Sequence, residues 1–185
     1  MRIVGGALRG RALAGPKTQN VRPTSDRLRE SIFDILAHAY DDPARDAAVI
    51  DVFAGTGALG FEALSRGAAR AMFVDSGAEA RALLRENIEK LGLGGVTRVF
   101  RRDAAKLGAA PAGEVFSLAF LDPPYGKGLA PLALAELLGG GWLAPGAIVV
   151  IEESAGVAVD LPPGILQDEN RRYGDTQIVF ARKEA

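Results

Sequence analysis

The chain has 185 residues, 48% of them hydrophobic, with 22 basic and 23 acidic side chains, a net charge of −1 and no cysteine. This length and composition indicate one domain with a full core, and the sequence has no run of 18 apolar residues that could span a membrane. Lack of cysteine excludes disulfides, zinc–thiolate sites and cysteine nucleophiles and favours a cytoplasmic location; with a single histidine as well, we predict no metal site.

The first 29 residues are strongly basic. They carry seven lysine and arginine residues against Asp26 alone, a local charge of +6 that leaves −7 for the rest of the chain. A basic segment ahead of a mildly acidic body is a candidate contact for a polyanion. Within it, residues 2–14 are predicted to form two short strands about Gly5 and Gly6, as in a hairpin.

An amphipathic helix is predicted over residues 25–39. Apolar residues recur at helical spacing from Leu28 to Leu36. Thr24 is the predicted N-cap, and Asp26 in the first turn lies on the favourable side of the helix dipole.

From residue 47 onward, buried strands alternate with helices. Strands are predicted at 47–53, 70–74, 96–100, 117–121 and 147–151, and helices at 58–66, 78–91 and 128–138. A last pair of strands, at 165–171 and 177–182, flanks a turn centred on Gly174 and Asp175. The pattern predicts an α/β fold with a doubly wound, mostly parallel sheet and a C-terminal antiparallel hairpin at its edge.

A glycine-rich loop follows the first predicted strand. Gly55, Gly57 and Gly60 form a G-x-G-x-x-G pattern between strand and helix, where glycine permits a tight turn and close approach to a ligand. Asp75 ends the second strand 20 residues after Gly55, a position from which an acid can accept both ribose hydroxyls of an adenosine. These features alone suit a dinucleotide equally well, and the glycines are also compatible with an ordinary turn.

Two further acids favour a ligand without phosphate. Asp51, just before the loop, would repel a pyrophosphate but attract an ammonium group. Asp103 follows the third strand, where it could accept from an adenine amino group or simply cap a helix. S-adenosylmethionine has an ammonium, a ribose and an adenine, and no phosphate.

The fourth strand leads directly into Asp122, Pro123, Pro124 and Tyr125. The prolines fix their own φ, and Pro123 also restricts Asp122, so that the acid and the ring stand on a stiff support. A carboxylate accepts from an amino group and an aromatic ring stacks on a flat base. The motif therefore suits a nucleobase with an exocyclic amine, although a strand followed by a Pro-Pro turn would read the same way.

With these motifs on one chain, the sequence resembles the class I S-adenosylmethionine-dependent methyltransferases, and within them the RsmD-type 16S ribosomal RNA guanine-N2 methyltransferases. The matching stretches are residues 2–6, 9–11, 22–30, 51–62, 122–125 and 172–175. The resemblance implies a single Rossmann-like methyltransferase domain over residues 1–185. A short β/α extension, residues 1–43, would precede the core at 44–185.

The resemblance also implies roles for individual residues. The cofactor contacts would be Asp51, Ala54, Gly55, Thr56, Gly57, Asp75, Ser76, Asp103 and Ala104, and the catalytic group would be Asp122, Pro123, Pro124 and Tyr125. Arg9, Arg11, Arg22 and Arg27 would contact RNA phosphates. The substrate that the resemblance implies is the guanine at position 966 of 16S rRNA. Because the basic segment is short, we expect a small ribosomal subunit or an assembly intermediate to present this base, and we expect the enzyme to be a monomer.

Three alternatives stay open at this stage. An amino-methyltransferase with the same core could act on DNA adenine or cytosine, or on a protein glutamine amide. An NAD-dependent oxidoreductase is disfavoured by Asp51 and by the placement of the one histidine, His38, near a helix end. An RNA-binding module with an inactive core is disfavoured by the intact motif at 122–125.

Overall fold

The computed structural model describes residues 1–16 and 24–185. Its strands are β1 Ala48–Val52, β2 Arg70–Val74, β3 Thr97–Phe100, β4 Phe116–Leu121, β5 Leu143–Ser154, β6 Ile165–Tyr173 and β7 Thr176–Lys183. Its α-helices are α1 Asp26–Ala39, α2 Ala58–Ser65, α3 Ala78–Leu91 and α4 Leu129–Gly139, with 3-10 turns at Gly94–Val96 and Ala104–Lys106. No helix in the described ranges is long and apolar enough to cross a bilayer.

The strands form one sheet in the order β3-β2-β1-β4-β5-β7-β6. β1 to β5 pair in parallel, whereas β7 runs antiparallel between β5 and the edge strand β6. The order reverses next to β1, which places a crevice at the carboxyl ends of β1 and β4, where open α/β sheets bind ligands. The predicted fold class is confirmed, including the C-terminal antiparallel pair.

Both faces of the sheet are covered. One hydrophobic cluster packs α1, α2 and α3 against β1 and β4, and it includes Ile3 and Leu13 from the N-terminal segment. The other packs α4 and the buried Trp142 against the opposite face. Because side chains alternate along a strand, residues two apart share a face. Phe120 lies in the first cluster and Leu121 in the second.

The start of the chain differs from the sequence prediction. Instead of two strands within residues 2–14, a single antiparallel bridge joins Arg2 to Ala12. The backbone beside this bridge still pairs as in a hairpin, since the amide of Ile3 donates to the carbonyl of Arg11 at 2.9 Å. At the tip, however, the amide of Ala7 donates to the carbonyl of Ser65 in α2 at 2.7 Å, so the segment docks on α2 and forms no regular strands.

The N-cap of α1 was predicted one residue too early. The cap is Ser25, whose hydroxyl accepts from the amide of Leu28 at 3.1 Å. The Thr24 side chain points instead to a pair of carboxylates far away in the sequence, described below. Either hydroxyl residue could cap the helix, and only this tertiary contact decides between them.

The fifth strand is longer than predicted. Its apolar run ends at Ile151, but pairing with β7 continues through Glu152 opposite Ile178 and Glu153 opposite Gln177. Both carboxylates are buried. The extension carries two acids to the carboxyl end of β5, beside the end of β4.

Candidate active site

The parallel register brings the predicted acids to one edge of the sheet. Val52 of β1 lies opposite Val74 of β2 and Leu121 of β4, so these strands end level with one another. Asp75 and Asp122 each follow directly after those ends. Asp51 stands one residue before the end of β1 and is close enough to raise the pKa of Asp122.

The loop after β1 has the backbone form that its glycines predict. Gly55 and Gly57 have φ of 56° and 80°, and Phe53 takes a φ of 61°, which is uncommon for a bulky residue. A Cβ on Gly57 would stand 2.5 Å from the ring of Phe61, whereas a Cβ on Gly55 would meet no atom closer than 4.0 Å. Gly57 thus serves internal packing, and Gly55 leaves room where a ligand could approach.

Asp51 is almost completely buried, with 1% of its surface exposed. Its Oδ2 accepts from the amide of Gly60 at 2.9 Å. Within the described residues no hydrogen bond reaches its Oδ1. Burial raises the pKa of Asp51 to about 8, opposed by the Gly60 bond and assisted by the charge of Asp75. A buried carboxylate without a cation is poised to take a ligand ammonium group.

Asp75 and Asp103 are held by backbone amides. Asp75 accepts from Gly55 at 3.0 Å and from Gly77 at 2.8 Å, which fixes its carboxylate against the glycine loop. Asp103 accepts from Ala105 at 2.9 Å and caps the short 3-10 turn after β3. Asp103 therefore caps a helical turn, one of the two roles that the sequence left open. Its exposed carboxylate retains lone pairs that can accept a hydrogen bond from a further donor.

Two further residues of the predicted cofactor set are Ser76 and Ala104. Ser76 is exposed at the start of the loop to α3, and Ala104 is buried directly after Asp103. Ser76 thus lies next to Asp75, and Ala104 lies next to Asp103.

A second group of side chains surrounds Asp122. Its Oδ2 lies 3.3 Å from the Thr24 hydroxyl, which donates to Oε2 of Glu152 at 2.8 Å. The hydroxyl of Tyr125 donates to the other oxygen of Glu152, Oε1. Burial, followed by the charges of Glu152 and Asp51, raises the pKa of Asp122 well above its ordinary value.

The rest of the Pro-Pro motif is anchored from β5. Pro123 is buried, Pro124 is exposed and Tyr125 is partly buried. Burial and the bond to Glu152 raise the pKa of the Tyr125 hydroxyl, which therefore stays protonated at neutral pH. The following amide, of Gly126, donates to Glu153 at 3.0 Å. The ring is thus tethered at its hydroxyl end and along the adjoining backbone.

The four predicted RNA-binding arginines do not form one group. Arg9 and Arg27 line a cleft of about 300 Å³ together with Arg2, between the N-terminal turn and α1. Arg11 lies apart and donates to the carbonyl of Lys90 at 2.7 Å, at the end of α3. Arg22 lies outside the described residues.

Sequence reasoning missed Thr24, Glu152 and Arg29. Arg29 is fully buried and donates to the carbonyl of Thr24 at 3.0 Å and to Asp26 at 2.8 Å, with Glu62 3.7 Å from its Nε. It thereby holds Thr24 at the site. Glu152 had a usable signal, since it directly follows the apolar run of the predicted fifth strand, as Asp122 follows that of the fourth.

Comparison with known proteins places the chain in a family. The family model described as "Conserved hypothetical protein 95" matches residues 1–182. The ribosomal RNA small subunit methyltransferase D of Escherichia coli K12 is 39% identical over 152 residues, which cover 82% of this chain and 74% of that protein. Its namesake in Haemophilus influenzae is 32% identical over 154 residues, covering 82% and 78%.

A solved structure agrees with the sequence relatives. The Escherichia coli protein yhhF aligns with a TM-score of 0.85 and 34% identity over 100% of this chain and 98% of its own. The fold, the end-to-end match and the identities agree with the resemblance seen in the motifs. The chain belongs to the Conserved hypothetical protein 95 family, the family of the RsmD-type ribosomal RNA methyltransferases.

Proposed function

We propose that this protein transfers a methyl group from S-adenosylmethionine to the exocyclic N2 of a guanine in 16S rRNA. The observation that carries the proposal is the convergence of Asp51, Asp75 and the 122–125 motif at one edge of the sheet. Family membership supports it, since several relatives are named as small-subunit ribosomal RNA methyltransferases. The proposal includes a cytoplasmic location, as expected for an enzyme of ribosomal RNA.

The cofactor site fits the groups that S-adenosylmethionine carries. Oδ1 of Asp51 is available to an ammonium group, and the space beside Gly55 admits the chain that bears it. Asp75 accepts one backbone bond on each oxygen and keeps a second lone pair on each for ribose hydroxyls. When bound, the cofactor supplies an electrophilic methyl group.

The target site suits an aromatic amine. The lone pair of guanine N2 is delocalised into the ring, so the amine is a weak nucleophile until its N–H groups are held. Asp122 and the carbonyls of Pro123 and Pro124 would accept these N–H groups, and Tyr125 would stack on the base. Orientation of this kind contributes up to roughly 7–11 kcal/mol in well-ordered intramolecular systems.

Asp122 is also the proton acceptor in this scheme. The amine loses a proton as it gains the methyl group, and the carboxylate of Asp122, which would already accept one of its N–H groups, is the base we propose. Its raised pKa makes the ionised form a stronger base than an exposed aspartate. The base must leave any helical stack to reach this site, and Tyr125 would replace part of the stacking that is lost.

The RNA would be held away from the chemistry by the basic N-terminal region. Arg9 and Arg27 are exposed and border one cleft, which Asp26 and Glu30 also line, and we assign the two arginines to phosphate contacts. A net charge of −1 gives little general attraction for RNA. We therefore propose that a small ribosomal subunit or an assembly intermediate, rather than bare RNA, presents the guanine to a monomeric enzyme.

The test is labelled-methyl transfer to unmodified small subunits, free 16S rRNA and duplex DNA in parallel, with mass spectrometry of the nucleosides. We expect N2-methylguanine in rRNA, and greater transfer to subunits than to free RNA. Asp122→Ala should abolish transfer and leave cofactor affinity within about threefold, whereas full activity in that variant would refute the assigned role. Label in DNA alone would move the protein to the DNA methyltransferases.

The arginine assignment needs its own variants. Joint replacement of Arg9 and Arg27 by alanine should weaken RNA binding and reduce its dependence on salt. Arg45→Ala is the control, because Arg45 is exposed and is not among the residues that line the cleft. Equal losses of RNA affinity in the double variant and in Arg45→Ala would show that the cleft makes no specific contact with RNA.

A further inference from the structure

Glu152 is a buried carboxylate whose partners are hydroxyl groups. It has 4% of its surface exposed, and within the described residues its oxygens accept from Tyr125 and Thr24 rather than from a lysine or arginine. A buried charge without a cation is costly for folding. Stability alone therefore does not explain why this carboxylate lies buried beside a second acid, Asp122.

The face of the sheet explains how these residues meet. Asp122 is two residues beyond Phe120, and Glu152 is two beyond Val150; Phe120 and Val150 both belong to the cluster beneath α1. Both acids therefore face the start of α1, from which Thr24 reaches them. The Thr24 hydroxyl lies 2.8 Å from Glu152 and 3.3 Å from Asp122.

The hydroxyl of Thr24 has one proton and cannot donate to both acids at once. While Asp122 is protonated, the shorter distance favours donation to Glu152, and Asp122 can itself donate to the Thr24 oxygen. When Asp122 is ionised, the hydroxyl donates to it across the 3.3 Å contact, which lowers the pKa of Asp122. The contact is therefore sensitive to the protonation state of Asp122.

We propose that Glu152 is a positioning residue for methyl transfer, which holds the Tyr125 ring against the target base and, with Thr24, sets the orientation and basicity of Asp122. The proposal rests on the function proposed above. In the reaction the N–H bond of the amine breaks and an O–H bond forms on Asp122. The negative charge of Glu152 favours that transfer, since a nearby like charge strengthens a carboxylate as a base.

The groups that act on Asp122 come from several elements. After burial itself, Glu152 of β5 and Asp51 of β1 raise the pKa of Asp122, the Thr24 bond lowers it, and Glu153 raises it further. Loss of the Glu152 charge should thus lower the pKa of Asp122, and loss of the Thr24 hydroxyl should raise it. A purely structural role for the two residues predicts no such opposite shifts.

The experiment compares Glu152→Gln, Thr24→Val and Thr24→Ser with wild type. The glutamine keeps the size of the side chain and can still accept from Tyr125, and valine keeps the shape of threonine without its hydroxyl. We expect kcat to fall about 10- to 100-fold in the first two variants, as for other misplaced catalytic groups. The cofactor Kd should change by less than about threefold, and Thr24→Ser should recover most of the lost rate.

The pH dependence of kcat distinguishes positioning from general damage. Activity requires ionised Asp122, so the acid limb of the profile should move to lower pH in Glu152→Gln and to higher pH in Thr24→Val. Carbon-13 NMR titration of the Asp122 carboxyl, identified by its loss in Asp122→Asn, should show the same two shifts without any RNA.

Each outcome has a separate meaning. A wild-type protein that methylates no RNA would contradict the proposed function, while the NMR titration would still decide the coupling between Glu152 and Asp122. An active wild type with an unchanged Asp122 titration in Glu152→Gln would overturn the inference. So would a Glu152→Gln variant with wild-type kcat and an unmoved acid limb.

Discussion

Asp51→Asn should stabilise the protein without ligand and weaken its binding of S-adenosylmethionine. Asparagine keeps the shape of the side chain and the acceptor for the Gly60 amide, which lies 2.9 Å from Asp51 Oδ2. It removes a carboxyl group whose charge, when ionised, is buried with no cation bonded to it among the described residues. Burial raises the pKa of Asp51 from 3.8 to about 8, and each pKa unit corresponds to about 1.4 kcal/mol. Ionised Asp51 therefore costs the folded protein at most about 6 kcal/mol.

The direction of the pH effect follows from the raised pKa. Between pH 4 and about 8 the folded state keeps the Asp51 proton that the unfolded chain releases, so wild-type stability declines as pH rises through this window. Above about pH 8, Asp51 is ionised in both the folded and the unfolded protein, and wild-type stability falls no further from this group. The stability advantage of Asp51→Asn should therefore grow from pH 5 to pH 8 and then level off.

Urea unfolding at pH 5, 7 and 9, followed by the fluorescence of the single buried Trp142, measures this advantage. Asp160→Asn, a replacement of an exposed aspartate, is the matched control and should show no such trend. Saturating S-adenosylmethionine should raise the urea midpoint of wild type more than that of Asp51→Asn, because only a carboxylate can neutralise the positive charge of the ligand's ammonium group. A difference between Asp51→Asn and wild type that does not vary with pH would refute the reasoning.

Three further changes test the packing and the cofactor site. Gly60→Ala would place a Cβ 2.4 Å from Cε1 of Phe73, and we expect this overpacking to cost about 1–3 kcal/mol in urea unfolding. Arg29→Met would remove the buried guanidinium that bonds the carbonyl of Thr24, while Glu62 keeps Arg66 at 2.9 Å, so a loss of about 1–3 kcal/mol is expected by the same assay. Asp75→Ala should raise the Kd for S-adenosylmethionine by about 10-fold or more in calorimetry, since two or more charge-assisted bonds are lost.

Matched variants identify the cause in each case. Gly94→Ala introduces a Cβ with no atom within 4 Å, and Arg45→Met removes an exposed guanidinium, so both should stay within about 0.5 kcal/mol of wild type. Destabilisation of the same size in these controls would show that the packing and charge arguments are wrong. An unchanged cofactor Kd in Asp75→Ala would remove that residue from the site.

The parallel core could be predicted almost to the residue. Arg70–Val74 and Ala78–Leu91 match the structure at both ends, because a buried apolar run and a helical period are local signals bounded by glycine or polar residues. The predicted acids at the carboxyl ends of β1, β2 and β4 also converge, since parallel strands must end at a common edge. The placement of Asp51, Asp75 and Asp122 thus follows from topology alone.

The features that sequence reasoning missed depend on partners distant in the chain. Thr24 and Ser25 are equally good caps, and the contact that separates their roles is with Glu152, 128 residues beyond Thr24. From the sequence, Arg29 is expected at the surface of an amphipathic helix. In the structure it is buried, and backbone carbonyls and Glu62 of α2 surround its guanidinium. Local periodicity contains no information about such pairs.

The N-terminal extension is part of the site rather than a separate arm. The side chain of Asn87 accepts from the amide of Ala14 at 2.7 Å and donates to the carbonyl of Thr56 in the glycine loop at 3.1 Å. At the other end of the extension, Arg29 holds the carbonyl of Thr24, whose hydroxyl meets the acids of the target pocket. The described parts of the basic region, residues 1–16 and 24–29, are therefore in contact with both the cofactor loop and the target pocket. RNA bound there would present its base in a defined orientation, which is the contribution that methyl transfer to a weak nucleophile requires.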